Sequence, residues 1–556
     1  MFSIDQNCHS LWDTLPKLQA LAAHGRHVTH FVEDVDVAFT ALGAGVDDSV
    51  LHLTRERFHR SGGQDWGAAL FYSEFLGRLP AEIRHWEPFT GLKTSTLAKK
   101  LARDIDDLYD EFSPGDNWQL IGSSYIGDRD HHRVIGDLSV REIRCFLLDL
   151  FHIARDDMLR AFPEADAQQR LAAWFCAEEG RMAELLDEHA DAGLADLYKA
   201  WLASYLDTDL VGLGVSSSLF ALGADAARTA LLEVFLTDYE QRAALYNAAI
   251  EETDGDLRPL AIEEGELPFF AIMDHQGHVV RCASYLKGDE ILFGRQPIPL
   301  ADGRRLPIDA MAEAGIRALA GKALILVIQA RLGPNGQPLA MPHRGSLYMP
   351  SAHRLAAKLA EAGLLPGELK PVIRVRFHLL DRLRELDTII RLPDHLAAAM
   401  GRAEVPAREL GESWAGLAQD AAVRLDTLRS PSARTQWAKE HFPGLTAQID
   451  ALNQRRRRLA EGVTTPEEMR ALWDQEKALQ RELLHRTLRQ IARDWQLRDL
   501  GYWDSRGALL PWSIALGGQA FYDRLLAEAE IREEAGGQID SSGSSTGLEL
   551  PGARRV

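Results

Sequence analysis

Ala323-Leu-Ile-Leu-Val-Ile-Gln-Ala330, bounded by Gly321 and Gly333, carries a single polar side chain in eight positions. A short apolar run between glycines suits a strand buried on both faces. The sequence therefore predicts an interior strand here, and the expected fold is built around it.

On its N-terminal side, Leu267-Pro-Phe-Phe-Ala-Ile-Met273 and His278-Val-Val-Arg-Cys-Ala-Ser-Tyr285 are joined by Asp274-His-Gln-Gly277. That pattern predicts a β-hairpin with glycine at the turn. Ile291-Leu-Phe293 and Ile298-Pro-Leu300 continue the sheet, and Ala301-Asp-Gly303 is a further turn. On the C-terminal side the sequence predicts a helix over Ser351 to Ala362. Val372-Ile-Arg-Val-Arg-Phe377, alternating apolar with basic, then predicts a half-exposed strand. Residues 255–400 are thus expected to form a mixed α/β segment with a small sheet.

Both flanks have a helical period. From the start to residue 254, apolar residues recur three and four apart, as in Leu101, Ile105, Leu108 and Phe112, and again from Val140 to Phe162. Residues 401–535 return to this pattern. Thr465-Pro-Glu-Glu468 supplies an N-cap hydroxyl, Pro at the first helical position and acids in the first turn. The helix it opens, reaching Leu497, is expected to pair with Leu445 to Glu461 as an antiparallel hairpin. Arg455 to Arg458 cover more than one turn and are expected on a solvated face. Residues 536–556, with Ser541-Ser-Gly-Ser-Ser545, have linker composition and are expected to be a disordered tail. The fold class is mainly α with a central α/β or α+β segment, a helical N-terminal region and a helical hairpin near the C-terminus.

Composition narrows function. The 556 residues carry a formal net charge of -20, which opposes binding to nucleic acid and to anionic membranes. Cys8, Cys145, Cys176 and Cys282 are widely spaced with no CxxC, which points away from zinc ribbons and disulfide frameworks and toward a reducing compartment. No basic segment followed by an apolar run opens the chain, and no stretch nears the roughly twenty apolar residues that span a bilayer. A cytoplasmic location is expected.

Three segments carry candidate chemistry. The first is Gln329 to Gly336 with Met341-Pro-His-Arg-Gly-Ser-Leu-Tyr-Met-Pro350, expected to follow the strand at 323–330. Carboxyl ends of strands are where open α/β sheets place ligands. Gln329, Arg331 and Arg344 are candidates to bind an anionic substrate group. His343, Ser346 and Tyr348 are candidates for proton transfer or nucleophilic attack. The second is Gly122 to Arg133, where Asp128, Asp130 and His131 are donors suited to a divalent metal and Arg133 is a further substrate ligand. The third is Asp106-Asp-Leu-Tyr-Asp110, with the letter pattern of the aspartate-rich motif that holds magnesium and a diphosphate. No second acidic motif accompanies it, so a solvated helix face is the simpler reading.

His24, His27, His30 and Glu33 recur every third residue, and Glu56/His59, Glu82/His85 and Glu482/His485 repeat a Glu-x-x-His spacing; these are taken as structural histidines. Gly315 to Lys322 has the wrong spacing for a P-loop, and Gly212-Leu-Gly214 lacks the third glycine of a dinucleotide fingerprint. The expectation is an enzyme acting on a small polar or anionic metabolite, at a cleft between the central segment and the helical N-terminal region. The alternative is a helical scaffold or adaptor, binding a protein partner or a second copy through its C-terminal helices. A divalent metal is the one candidate cofactor.

Overall fold

Five parallel strands and one antiparallel strand form the central sheet, although the sequence around three of them looks helical. The computed structural model describes residues 1–5, 11–36, 39–40, 71, 74–79, 83–112, 124–125, 130–253, 257–344, 348–461 and 465–534. In chain order the main strands are β1 (Phe2–Ile4), β2 (Val28–Val32), β3 (Val211–Val215), β4 (Glu266–His275), β5 (His278–Lys287), β6 (Glu290–Phe293), β7 (Gln296–Pro299), β8 (Ile316–Gly321), β9 (Leu339–Pro342), β10 (Val372–Arg376) and β11 (Glu530–Glu534). The principal helices are α1 (Leu11–Ala23), α2 (Val140–Ala161), α3 (Ala165–Glu188), α4 (Leu194–Ala203), α5 (Tyr239–Glu252), α6 (Ala323–Arg331), α7 (Met349–Glu361), α8 (Ala407–Leu428), α9 (Pro443–Ala460), α10 (Pro466–Arg498) and α11 (Leu509–Ala527). The chain is mainly α with an α/β centre.

The first sheet runs β3-β2-β1-β9-β10-β11, parallel except for the β10–β11 pair. Parallel neighbours need crossover connections, and helices supply them on both faces. Side-chain alternation then splits the core in two. Val28, Val32, Ala340, Ile373 and Val375 face one cluster with α1, α3, α4 and α11. Phe31, Leu339, Met341 and Val372 face the other with α5, α6 and α7. β10 is buried along most of its length, not half exposed, because it is an inner strand of this sheet; its Arg374 is neutralised by Glu534 across the β10–β11 pair.

The second sheet is antiparallel, in the order β7-β6-β5-β4-β8. Its expected hairpin is present: His275 pairs with His278 across Gln276 and Gly277, both at positive φ (50° and 87°). Two such residues make the tight turn whose twist matches paired strands.

The run at 323–330 is helical, which corrects the expected strand. Leu324, Ile325, Val327 and Ile328 all enter the second core, so α6 is apolar on every side and shows no amphipathic stripe. The strand is the segment just before it, β8. At the junction, a Cβ on Gly321 would lie 2.6 Å from the Leu326 amide nitrogen, so strand and helix meet only through glycine.

Likewise Gly212-Leu-Gly214 is part of β3, and the helical stripe expected from Leu101 to Phe112 is broken at Ala102, which is left-handed (φ 54°). Thr465 caps α10 as expected, accepting from the Glu468 amide. α9 and α10 form the expected hairpin and α8 also packs on α10. Leu425, Leu428, Leu488 and Ile491 form a third core with Trp86, Phe89 and Leu97. Among the described residues no helix is long and apolar enough to cross a membrane. The tail expected at 536–556 lies outside the described residues.

Candidate functional site

β1 and β9 are adjacent and parallel, yet the chain leaves them toward opposite faces. From β1 it enters α1, whose Leu11, Trp12, Leu15 and Leu18 belong to the first core. From β9 it reaches α7, whose Met349, Ala352 and Leu355 belong to the second. Diverging connections leave a crevice at the carboxyl ends of the two strands, the usual ligand position in such sheets. A cavity of about 30 Å³ lies there between the ends of β1 and β9, beside Asp13, Thr14 and Lys17 of α1 and Arg506. That is room for a water or two.

Charged groups converge on this point. Thr14 Oγ1 donates to both Asp5 carboxylate oxygens at 3.0 Å, and Lys17 Nζ lies 3.8 Å from Asp5 Oδ1. His30, fully buried in β2, places Nδ1 3.0 Å from Ser3 Oγ and Nε2 3.1 Å from Asp5 Oδ2. Arg506 Nε lies 3.3 Å from Asp13 Oδ2. Neither His30 Nε2 nor Arg506 Nε is aligned as a hydrogen bond, and Asp13 Oδ1 has no hydrogen-bond partner among the described residues.

Burial sets the titration of the group. It pushes the Asp13 carboxyl up to about 6 against the opposing pull of Arg506 and Lys17. It also pulls the Lys17 ammonium down, although Asp5 and Asp13 favour the charged form. Both shifts favour the neutral forms, and that of Asp13 brings its carboxyl toward neutral pH. Burying four charges also costs several kcal/mol per ion before pairing, and such a cluster in a crevice points to function.

The expected residues fall into separate places. His343 follows β9 directly, and its amide donates to Val375 O at 2.8 Å. Burial, with Arg376, Arg344 and Arg374 nearby, pulls the imidazole down to about 4, so it is neutral at pH 7. Arg344 is part-exposed, 3.4 Å from Asp499. Tyr348 is within electrostatic reach of Arg506. The structure therefore brings His343, Arg344 and Tyr348 to the parallel-sheet edge, while Ser346 lies outside the described residues.

Arg331 and Gln329 do not reach that edge, because they sit in the last turn of α6 and not in a loop after a strand. Arg331 is fully buried and donates from Nε to Lys370 O at 2.6 Å. Gln329 accepts from the Gly321 amide at 2.8 Å and donates to Leu319 O at 3.3 Å, tying α6 to β8. Arg133 is buried and forks between Asp137 and Glu142 at 2.8 and 2.9 Å. The contacts of these three residues serve the fold.

Asp128 and the side chains of Asp106 and Asp110 lie outside the described residues. Asp130 pairs with Arg295, and the His131 ring stacks on His275 at 3.9 Å between centroids. Among the described residues, the donors close enough to share an ion are His378, Asp381 and Asp504, just beyond β10. Each already has a protein partner: His378 meets Glu530 at 3.0 Å, Asp381 accepts from Trp414 at 3.1 Å, and Asp504 takes two bonds from Arg376 and one from the Leu380 amide. This arrangement has the character of an ion-pair network.

Asp5, Asp13, Lys17 and Arg506 were not singled out in the sequence. The available signal was an Asp/Lys pair four apart inside an otherwise largely apolar helix. Comparison of the chain with protein-family models and with curated proteins finds no match.

Proposed function

We propose that the chain is an enzyme acting on a small polar or anionic metabolite by proton transfer at the β1/β9 crevice. Asp13 and Lys17 exchange the proton, and Arg506 and Arg344 hold the anionic group. The crevice joins α1, from the N-terminal region, to the end of β9 in the central segment. The observation that carries this reading is the burial of two carboxylates and two cations where the connections of β1 and β9 diverge. The placement argument is an analogy at the level of fold; the proton-transfer argument rests on the residues themselves.

A cytoplasmic enzyme fits the exposed, unbridged thiol of Cys176. The adaptor reading has less support. Among the described residues the exposed large apolar side chains are Ile105, Val423 and Trp473. Val423 adjoins Arg424, which pairs with Asp494. On α10 that level is roughly 30 Å from Trp473 at 1.5 Å per residue, so the two do not make one strip.

The test is a turnover screen over a metabolite panel, followed by Asp13→Asn on the substrate found. Activity is expected to fall about a hundredfold or more, as for loss of a general acid or base. In the parent protein, activity that depends on the Asp13 carboxylate should fall as pH drops through about 6, and the variant should lose that limb. Full turnover with an unchanged pH profile in a folded variant would refute the reading.

A further inference from the structure

We infer that a second cleft, over the antiparallel sheet, is a binding site for a nucleoside phosphate. β5 alternates cleanly: Val280, Cys282 and Leu286 enter the core, while Arg281, Ala283, Tyr285 and Lys287 turn to the other face. There they meet Phe270 of β4, opposite Ala283, and Leu292 of β6, opposite Tyr285. The result is a flat apolar floor with a small residue at its centre. Above it is a cleft of about 790 Å³, within the size range of small-molecule sites.

The lining is cationic in an acidic protein. Five basic side chains, Arg258, Arg281, Lys287, Arg295 and Lys322, face three acidic ones, although the chain as a whole carries -20. One carboxylate, Glu266, is shared by Lys322 and Arg258, while Arg281 pairs with Asp36 and Arg295 with Asp130. Lys287 has no ion pair among the described residues, so positive charge is left for a ligand. The Arg281 guanidinium lies 4.3 Å from the Phe270 ring centroid and Lys322 Nζ lies 5.3 Å from it. Stacked guanidinium and aromatic planes hold nucleobases, and the surrounding ammonium and guanidinium groups hold phosphate. The small-molecule size of the cleft and the net charge of the chain both favour a free nucleotide over a polymer.

The site shares no lining residue with the β1/β9 crevice. Isothermal titration calorimetry with AMP, GMP, CMP, UMP and their triphosphates tests it, with pyrophosphate and adenosine as controls. Expected is one-to-one binding of at least one nucleotide, tighter than either control. Affinity should fall about tenfold or more in the double variant Arg258→Glu, Lys287→Glu, whose substitutions lie at exposed positions. Asp13→Asn should leave it unchanged. Absence of binding at about 1 mM nucleotide, binding that survives the double variant, or pyrophosphate binding as tightly as any nucleotide would each overturn the assignment.

Discussion

Arg506→Met is expected to lower stability by about 3–5 kcal/mol at pH 8, the cost of leaving a buried charge without its partner. Arg506 is buried against Asp13, and only Lys17 would remain to offset Asp5 and Asp13. The loss should shrink on acidification. The Asp13 carboxyl is already raised to about 6 in the fold, above its unfolded value of about 3.9. Its contribution is therefore present in full below about pH 4 and lost as pH rises through 6. Without Arg506 the carboxyl rises further, so protonation recovers more of the loss. Urea denaturation of parent and variant at pH 8 and pH 5 measures this. The difference between the two proteins should be smaller at pH 5, while an equal difference would mean that Asp13 and Arg506 are not coupled.

Trp12→Ala is the second large effect, also about 3–5 kcal/mol, as for other fully buried aromatic truncations. Trp12 is completely buried, with the rings of Phe71, Phe151, Trp174 and Phe175 between 5.5 and 6.4 Å from its own. This contact seats the start of α1, from whose first two turns Asp13 and Lys17 project, so crevice ligands should weaken together with the fold. Trp12→Phe should cost much less, because the indole Nε1 has no hydrogen-bond partner among the described residues. Thermal melts with and without crevice ligand check both variants. Equal losses in the two would contradict the packing explanation.

Features encoded within a few residues were legible in the sequence. The β4–β5 hairpin declares itself through alternation and Gly277, and α10 through Thr465 and Pro466. Features settled by distant contacts were not. Ala323 to Ile328 is apolar throughout, so its periodicity cannot separate a buried strand from a buried helix of similar length. β1 has three residues and pairs with Leu339 and Ala340, far along the chain. β3 contains two glycines, which weaken any strand signal.

The site shows the same division. His343 and Arg344 do stand at the carboxyl end of a strand, but that strand is β9, not the run at 323–330. Asp5, Asp13, Lys17 and Arg506 are unremarkable where they occur in sequence. They come together only when β1, α1 and the segment before α11 are folded against one another.

The most direct measurement is a crystal structure of the protein soaked with a metabolite that it turns over. Density for the compound is expected at the ends of β1 and β9, within hydrogen-bond distance of Asp13 and Arg506. A substrate seated only elsewhere, with the Asp13–Arg506 contact left as it is in the empty protein, would contradict catalysis at the crevice.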